Sequence, residues 1–242
     1  SLCCIAQLGG KCSFIGRVRN DELGNIFTEQ ISSVGATFKT PYSTNGPSTA
    51  RSLILITPDA QRTMCTYLGS SVLLEPTDLD LSVVQKSKVL YLEGYLYDHP
   101  SAQRAFIKAA KACKNSGGKV ALSLSDSFCV NRHRKNFLEL VENHIDILFA
   151  NESEIISLYE ASNFAIALEK SQGSCDITAL TLGDEGSIVL SRDSQWKIEP
   201  YKLGRLIDTT GAGDLYAGGF LHGYINKNNP YACGQLGSIC AG

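Results

Sequence analysis

The alternation of strand-like and helix-like segments that begins near Lys88 predicts a three-layer α/β domain, with helices on both faces of one sheet. Three observations carry this. Residues 89–92 (VLYL), 119–124 (KVALSL) and 145–150 (IDILFA) are short apolar runs, the last nearly continuous, as suits parallel strands buried on both faces. Residues 100–115 and 131–143 fall between them with helical spacing. The 242 residues, 43% of them hydrophobic, can bury one large core, and residues 1–242 fit one domain with an inserted lobe as well as two small domains. In such a domain ligands sit at the carboxyl ends of the strands.

In chain order, residues 1–18 read as the end of an apolar helix, a stop at Gly9-Gly10 and a strand. Asn20 is placed to cap a helix in which Leu23, Ile26, Phe27 and Ile31 recur at helical spacing before Gly35. Residues 51–57 (RSLILIT) and 63–68 flank the polar PDAQ of 58–61, a hairpin pattern. Gly117-Gly118 closes the helix that starts at Pro100, and residues 177–182 form a further strand. There is no internal repeat, low-complexity tract or linker.

Composition excludes several functions. A net charge of −2 offers no electrostatic case for nucleic acid or an anionic membrane surface. No apolar run approaches the roughly 18 residues of a membrane span, and no basic-then-apolar leader opens the chain. Nine cysteines without a C-x-x-C pair read as reduced thiols of a cytoplasmic protein. Cys3, Cys4 and Cys12 lack a nearby histidine to complete a zinc set.

The stretch 208–220, DTTGAGDLYAGGF, holds the most informative chemistry. Gly211 and Gly213 permit a tight turn that exposes successive N–H groups at a helix start, a ready site for phosphate. Asp214 puts a carboxylate inside that anion site, the pairing that phosphoryl transfer to an alcohol requires. A helix-favouring acid after a tight turn would explain the same four residues structurally. A dinucleotide fingerprint fails because Tyr216 stands where a third small residue is needed, and a P-loop fails at Cys12 and Val120 after the two Gly-Lys pairs.

The whole stretch resembles the second signature of the PfkB family of carbohydrate and nucleoside kinases, the ribokinase-like enzymes. The resemblance implies an α/β/α ribokinase-like (Rossmann-like) fold with a small β-rich lid, to which residues 37–69 contribute. It implies Asp214 as catalytic base, with Gly211, Ala212 and Gly213 as the anion hole. Thr181, Gly183 and Gly186 of TLGDEG resemble the family segment beside the ATP phosphates, joined by Thr210; a tight β-turn explains those glycines equally well. Asn151 and Glu154 of NESE resemble the N-x-x-E motif associated with Mg²⁺ and phosphate, where a cap and an acidic first turn are the structural alternative. Arg62 resembles a lid arginine that reaches substrate or phosphate. Gly9, Gly16, Asp21 and Gly24 resemble the later part of the first signature, so its glycine-rich run and asparagine, and the family's first strands with a substrate-contacting aspartate, are expected ahead of Ser1.

Residues 123–154 look more like adenosine kinases and their bacterial relatives than like ribokinases or fructokinases. Phe128 follows a strand where a purine could stack on it, or where it could join the core. His133 with Arg132 and Arg134 reads as a solvated helix face. The resemblance thus implies ATP and Mg²⁺ as cofactors, a nucleoside or sugar as the small-molecule partner, and pairing of two copies through the lid as in some relatives. The rival readings are a kinase for ribose, fructose or a sugar acid, and a non-catalytic nucleotide or sugar sensor.

Overall fold

The computed structural model describes residues 1–58, 62–204 and 208–242. The expected hairpin turn at Asp59, Ala60 and Gln61, and the end of the apolar run before Asp208, lie outside the described residues.

The chain opens with helix α1 (Leu2–Gln7), strand β1 (Ser13–Phe14), helix α2 (Glu22–Ser33) and strand β2 (Thr37–Phe38), and β1 pairs in parallel with β2. The cap of α2 is Asp21 rather than Asn20: its carboxylate accepts from Gly24 N–H at 2.9 Å and from the N–H and hydroxyl of Thr49. An aspartate that caps and also reaches a distant strand lead-in has more to hold than an asparagine one residue earlier.

Strands β3 (Arg51–Ile56) and β4 (Arg62–Tyr67) form a separate antiparallel hairpin. Within the expected lid span of 37–69, β2 pairs with β1, and β3 and β4 make the hairpin.

Helix α3 (Leu81–Lys86) leads into strand β5 (Val89–Glu93), helix α4 (Pro100–Asn115), strand β6 (Lys119–Ser123), helix α5 (Ser127–His144), strand β7 (Ile147–Asn151), helices α6 (Glu152–Tyr159) and α7 (Phe164–Ser171), and strand β8 (Ile177–Thr181). Strands β9 (Ser187–Ser191) and β10 (Gln195–Ile198) follow, then helices α8 (Ala212–Ile225) and α9 (Pro230–Ala241). Sheet order is β10-β9-β8-β7-β6-β5. The expected parallel pairing holds only for β5 to β8; β9 pairs antiparallel with β8 and β10 antiparallel with β9, because the short turns after Thr181 and Ser191 each reverse the chain at once instead of crossing over through a helix.

Alternate side chains of the strands face two cores. Leu92, Val120, Leu122, Leu148 and Leu180 pack with Phe106, Phe137, Leu140 and Ile155 on one face. Ala121, Ile147, Phe149, Ala179 and Val189 pack with Tyr216, Phe220, Leu221 and Cys233 on the other. This is the expected three-layer, ribokinase-like fold. Helix α5 starts four residues before the expected 131, capped by Asp126, and bends at His133. There Arg132 and His133 close on Asp98 at 2.8 Å each, so that face is paired with a carboxylate and not simply solvated.

Candidate active site

Strand register gathers polar residues at the carboxyl edge of the sheet. Glu93 lies beside Ser123 at the ends of β5 and β6, and Asn151 beside Thr181 at the ends of β7 and β8. After Thr181, Gly183 and Gly186 adopt φ +61 and +91, and Leu182 N–H donates to Gly186 O at 2.9 Å. A Cβ at Gly186 would stand 2.1 Å from Ile198 O, so this turn serves the reversal into β9.

Helix α8 starts from Gly211 as a left-handed cap, φ +82. Thr210 donates both its N–H and its hydroxyl to Asp208, which lowers that carboxyl below its ordinary range. Ala212 N–H donates to Thr209 O at 3.1 Å. Among the described residues no group accepts from Gly213 N–H or Asp214 N–H. Those two donors, at the positive end of the helix dipole, are what an anion would meet. The Asp214 side chain is 54% exposed beside them. Tyr216, too bulky for a dinucleotide turn, anchors the helix from behind through a buried 2.8 Å bond between its hydroxyl and that of Ser187.

Asn151 and Glu154 form a closed capping box. Asn151 Oδ1 accepts from Glu154 N–H at 2.9 Å, while the Glu154 carboxylate accepts from Asn151 N–H at 3.0 Å and from its amide at 2.8 Å. Burial pushes the Glu154 carboxyl up to about 7. No cluster of three metal-ligating side chains occurs among the described residues. The donor set fits a magnesium ion that arrives on nucleotide phosphates with much of its water shell, since Mg²⁺ needs only one or two protein carboxylates.

Arg62 reaches from the hairpin to the α8 lead-in, donating to Thr209 Oγ1 at 3.0 Å. Phe128, at the start of α5, is 72% exposed and is not a core residue. Sequence reasoning missed Glu93, whose carboxyl accepts from Ser125 Oγ and is pushed up to about 7 by burial, with Asp214 and Glu154 adding to the rise. It also missed Tyr95, a half-exposed ring close enough to Asp126, Glu93, Glu154 and Arg62 to feel their charges. An acid ending an apolar strand just before a glycine was the available signal for Glu93.

A profile of the pfkB family of carbohydrate kinases matches residues 1–242. The chain belongs to this family. Its structure superposes on the adenosine kinase from Sinorhizobium meliloti with a TM-score of 0.96 and 44% identity, covering 99% of this chain and 74% of that one. A probable sugar kinase from Rhizobium etli is as similar, with a TM-score of 0.97 and 41% identity over 100% of this chain and 73% of that one. Among curated relatives, the probable fructokinase-6 of Arabidopsis thaliana is 27% identical over 92% of this chain, which spans only 60% of that protein's length. The aminoimidazole riboside kinase of Salmonella typhimurium is 26% identical over 99% of this chain and 80% of its own. No helix among the described residues is long and apolar enough to cross a membrane.

Proposed function

We propose that this pfkB-family chain transfers the γ-phosphoryl group of Mg-ATP to a hydroxymethyl group of a nucleoside, with adenosine the favoured acceptor. The observation that carries the kinase reading is the exposed Asp214 carboxylate beside two unengaged N–H groups at the start of α8. Asp214 takes the proton from the attacking hydroxyl as the new P–O bond forms and the bond to the leaving ADP oxygen breaks. Gly213 and Asp214 N–H groups receive the charge on the phosphoryl oxygens. Ala212 holds the turn through Thr209, and Gly211 gives it its left-handed entrance. Glu154 and Asn151, whose own atoms are engaged with each other, would hold a magnesium ion through its water shell, and that ion would neutralise charge on the nucleotide phosphates.

Thr181, Gly183, Gly186 and Thr210 line the nucleotide side, while Arg62 and Phe128 face the acceptor. The exposure of Phe128 and the similarity to the Sinorhizobium adenosine kinase support the nucleoside reading. Similarity to the probable sugar kinase of Rhizobium etli supports a sugar acceptor as the second reading, with ribose, fructose and a sugar acid the candidates. Two further proposals complete the picture: a cytoplasmic protein, and a homodimer formed through the outward face of the hairpin, where Leu53 and Leu55 are exposed.

The test is ADP release with Mg-ATP and adenosine, ribose, fructose or a sugar acid. Asp214→Asn is expected to lower turnover by at least about a thousandfold while nucleotide binding persists, since it removes the base and leaves the N–H groups. Unchanged turnover in that variant overturns the assignment of the base, and selective turnover of a sugar overturns adenosine.

A further inference from the structure

The loop between β6 and α5 is held in a conformation that its sequence does not favour. Ser125 has φ +67, in the left-handed region, and Asp126 N–H donates to Leu124 O at 2.8 Å, closing a three-residue turn around it. Such a turn is unfavourable at a residue other than glycine and persists only where its surroundings impose it.

Three neighbours impose it. Leu124 N–H is fixed to Phe149 O on β7 at 3.1 Å. Ser125 Oγ donates to the Glu93 carboxylate at the end of β5. Gly94 lies against the turn so closely that an added Cβ would stand 2.6 Å from Ser123 O and 2.7 Å from Leu124 O. The turn in its place sets Asp126, which caps α5 by accepting from Phe128 N–H at 3.1 Å, and so sets the exposed Phe128 ring. Asp126 is near enough to raise the Glu154 carboxyl, which puts this end of α5 on the same rim as the capping box.

We propose that Glu93 is a positioning residue: by holding the left-handed turn at Ser125 it fixes the end of α5 that presents Phe128 to the phosphoryl acceptor. This rests on the acceptor reading of Phe128 given above. The distinctive consequence concerns glycine. If the hydroxyl matters only because it restrains an unfavourable backbone, a residue that adopts φ +67 unaided replaces it.

The experiment compares Ser125→Ala, Ser125→Gly and Glu93→Ala, with Glu93→Ala also made in the Ser125→Gly background. The readouts are KM for adenosine, KM for Mg-ATP, kcat and hydrogen exchange of the 124–130 amides. Ser125→Ala and Glu93→Ala are each expected to raise the adenosine KM about tenfold, with kcat and the ATP KM within about threefold, and to speed exchange at Asp126 and Phe128. Ser125→Gly should stay within about threefold of the parent, and in that background Glu93→Ala should add little.

An equal effect of Glu93→Ala in both backgrounds overturns the proposal, because Glu93 would then act on the acceptor directly. Unchanged exchange in Ser125→Ala overturns it whatever the substrate is. Faster exchange with an unchanged acceptor KM overturns the link from turn to acceptor. Absence of turnover with every acceptor sinks the kinase reading instead, and exchange still decides the turn.

Discussion

Two carboxyls, Glu93 at the end of β5 and Glu154 in the first turn of α6, are pushed up to about 7 by burial. For Glu93 the folded chain keeps a proton that the unfolded chain releases above its ordinary 4.5. The resulting destabilisation is absent below pH 4.5, grows as pH rises toward 7 and is complete above it, reaching at most about 3 kcal/mol. Glu93→Gln keeps an acceptor for Ser125 and abolishes the titration, so its melting temperature should fall less than the parent's between pH 5 and 8. Equal falls in calorimetry would exclude Glu93 as the source. Asp214 and its glycines were readable from the sequence because their meaning lies within one contiguous stretch. Glu93 was not, because its meaning depends on register with Ser123 and on a turn 32 residues away.

At the scale of elements, strand alternation divides the hairpin into two faces. Ile54, Ile56 and Met64 share the face of Arg62, which touches the α8 lead-in, while Leu53, Leu55 and Cys65 share the other. Leu53 and Leu55 are 69% and 62% exposed, more than a hairpin standing alone in water would favour. Leu53→Ser with Leu55→Ser is therefore expected to shift sedimentation from dimer to monomer, and a parent that sediments as a monomer refutes the pairing. The hairpin strands were legible from their β-branched and apolar residues. Strand direction was not: a continuous apolar run reports burial on both faces and is silent about which way the next strand runs, so the antiparallel β9 and β10 escaped. The Phe14, Phe27 and Phe38 cluster, with ring centroids 5.3–5.6 Å apart, likewise joins β1, α2 and β2 only once folded.

At the scale of the molecule, the fold collects acids where the proposed nucleotide phosphates must lie. Glu93 comes from the end of β5, Glu154 from the first turn of α6, Asp126 from the cap of α5, and Asp208 and Asp214 from the lead-in and first turn of α8. Arg62 and the two free N–H groups oppose them. Metal-free ATP should therefore bind at least about tenfold more weakly than Mg-ATP, because each unscreened acid at about 5 Å opposes a phosphate charge by roughly 0.8 kcal/mol even in a water-like medium. Removing one of these charges should help the naked nucleotide. Asp214→Asn is expected to tighten metal-free ATP by about three- to fivefold while changing Mg-ATP binding little, and the gain should shrink in high salt. Titration of both variants with ATP, with and without a chelator, separates the cases. If Asp214→Asn weakens metal-free and metal-bound nucleotide alike, Asp214 does not face the phosphates, and the start of α8 is not where they sit.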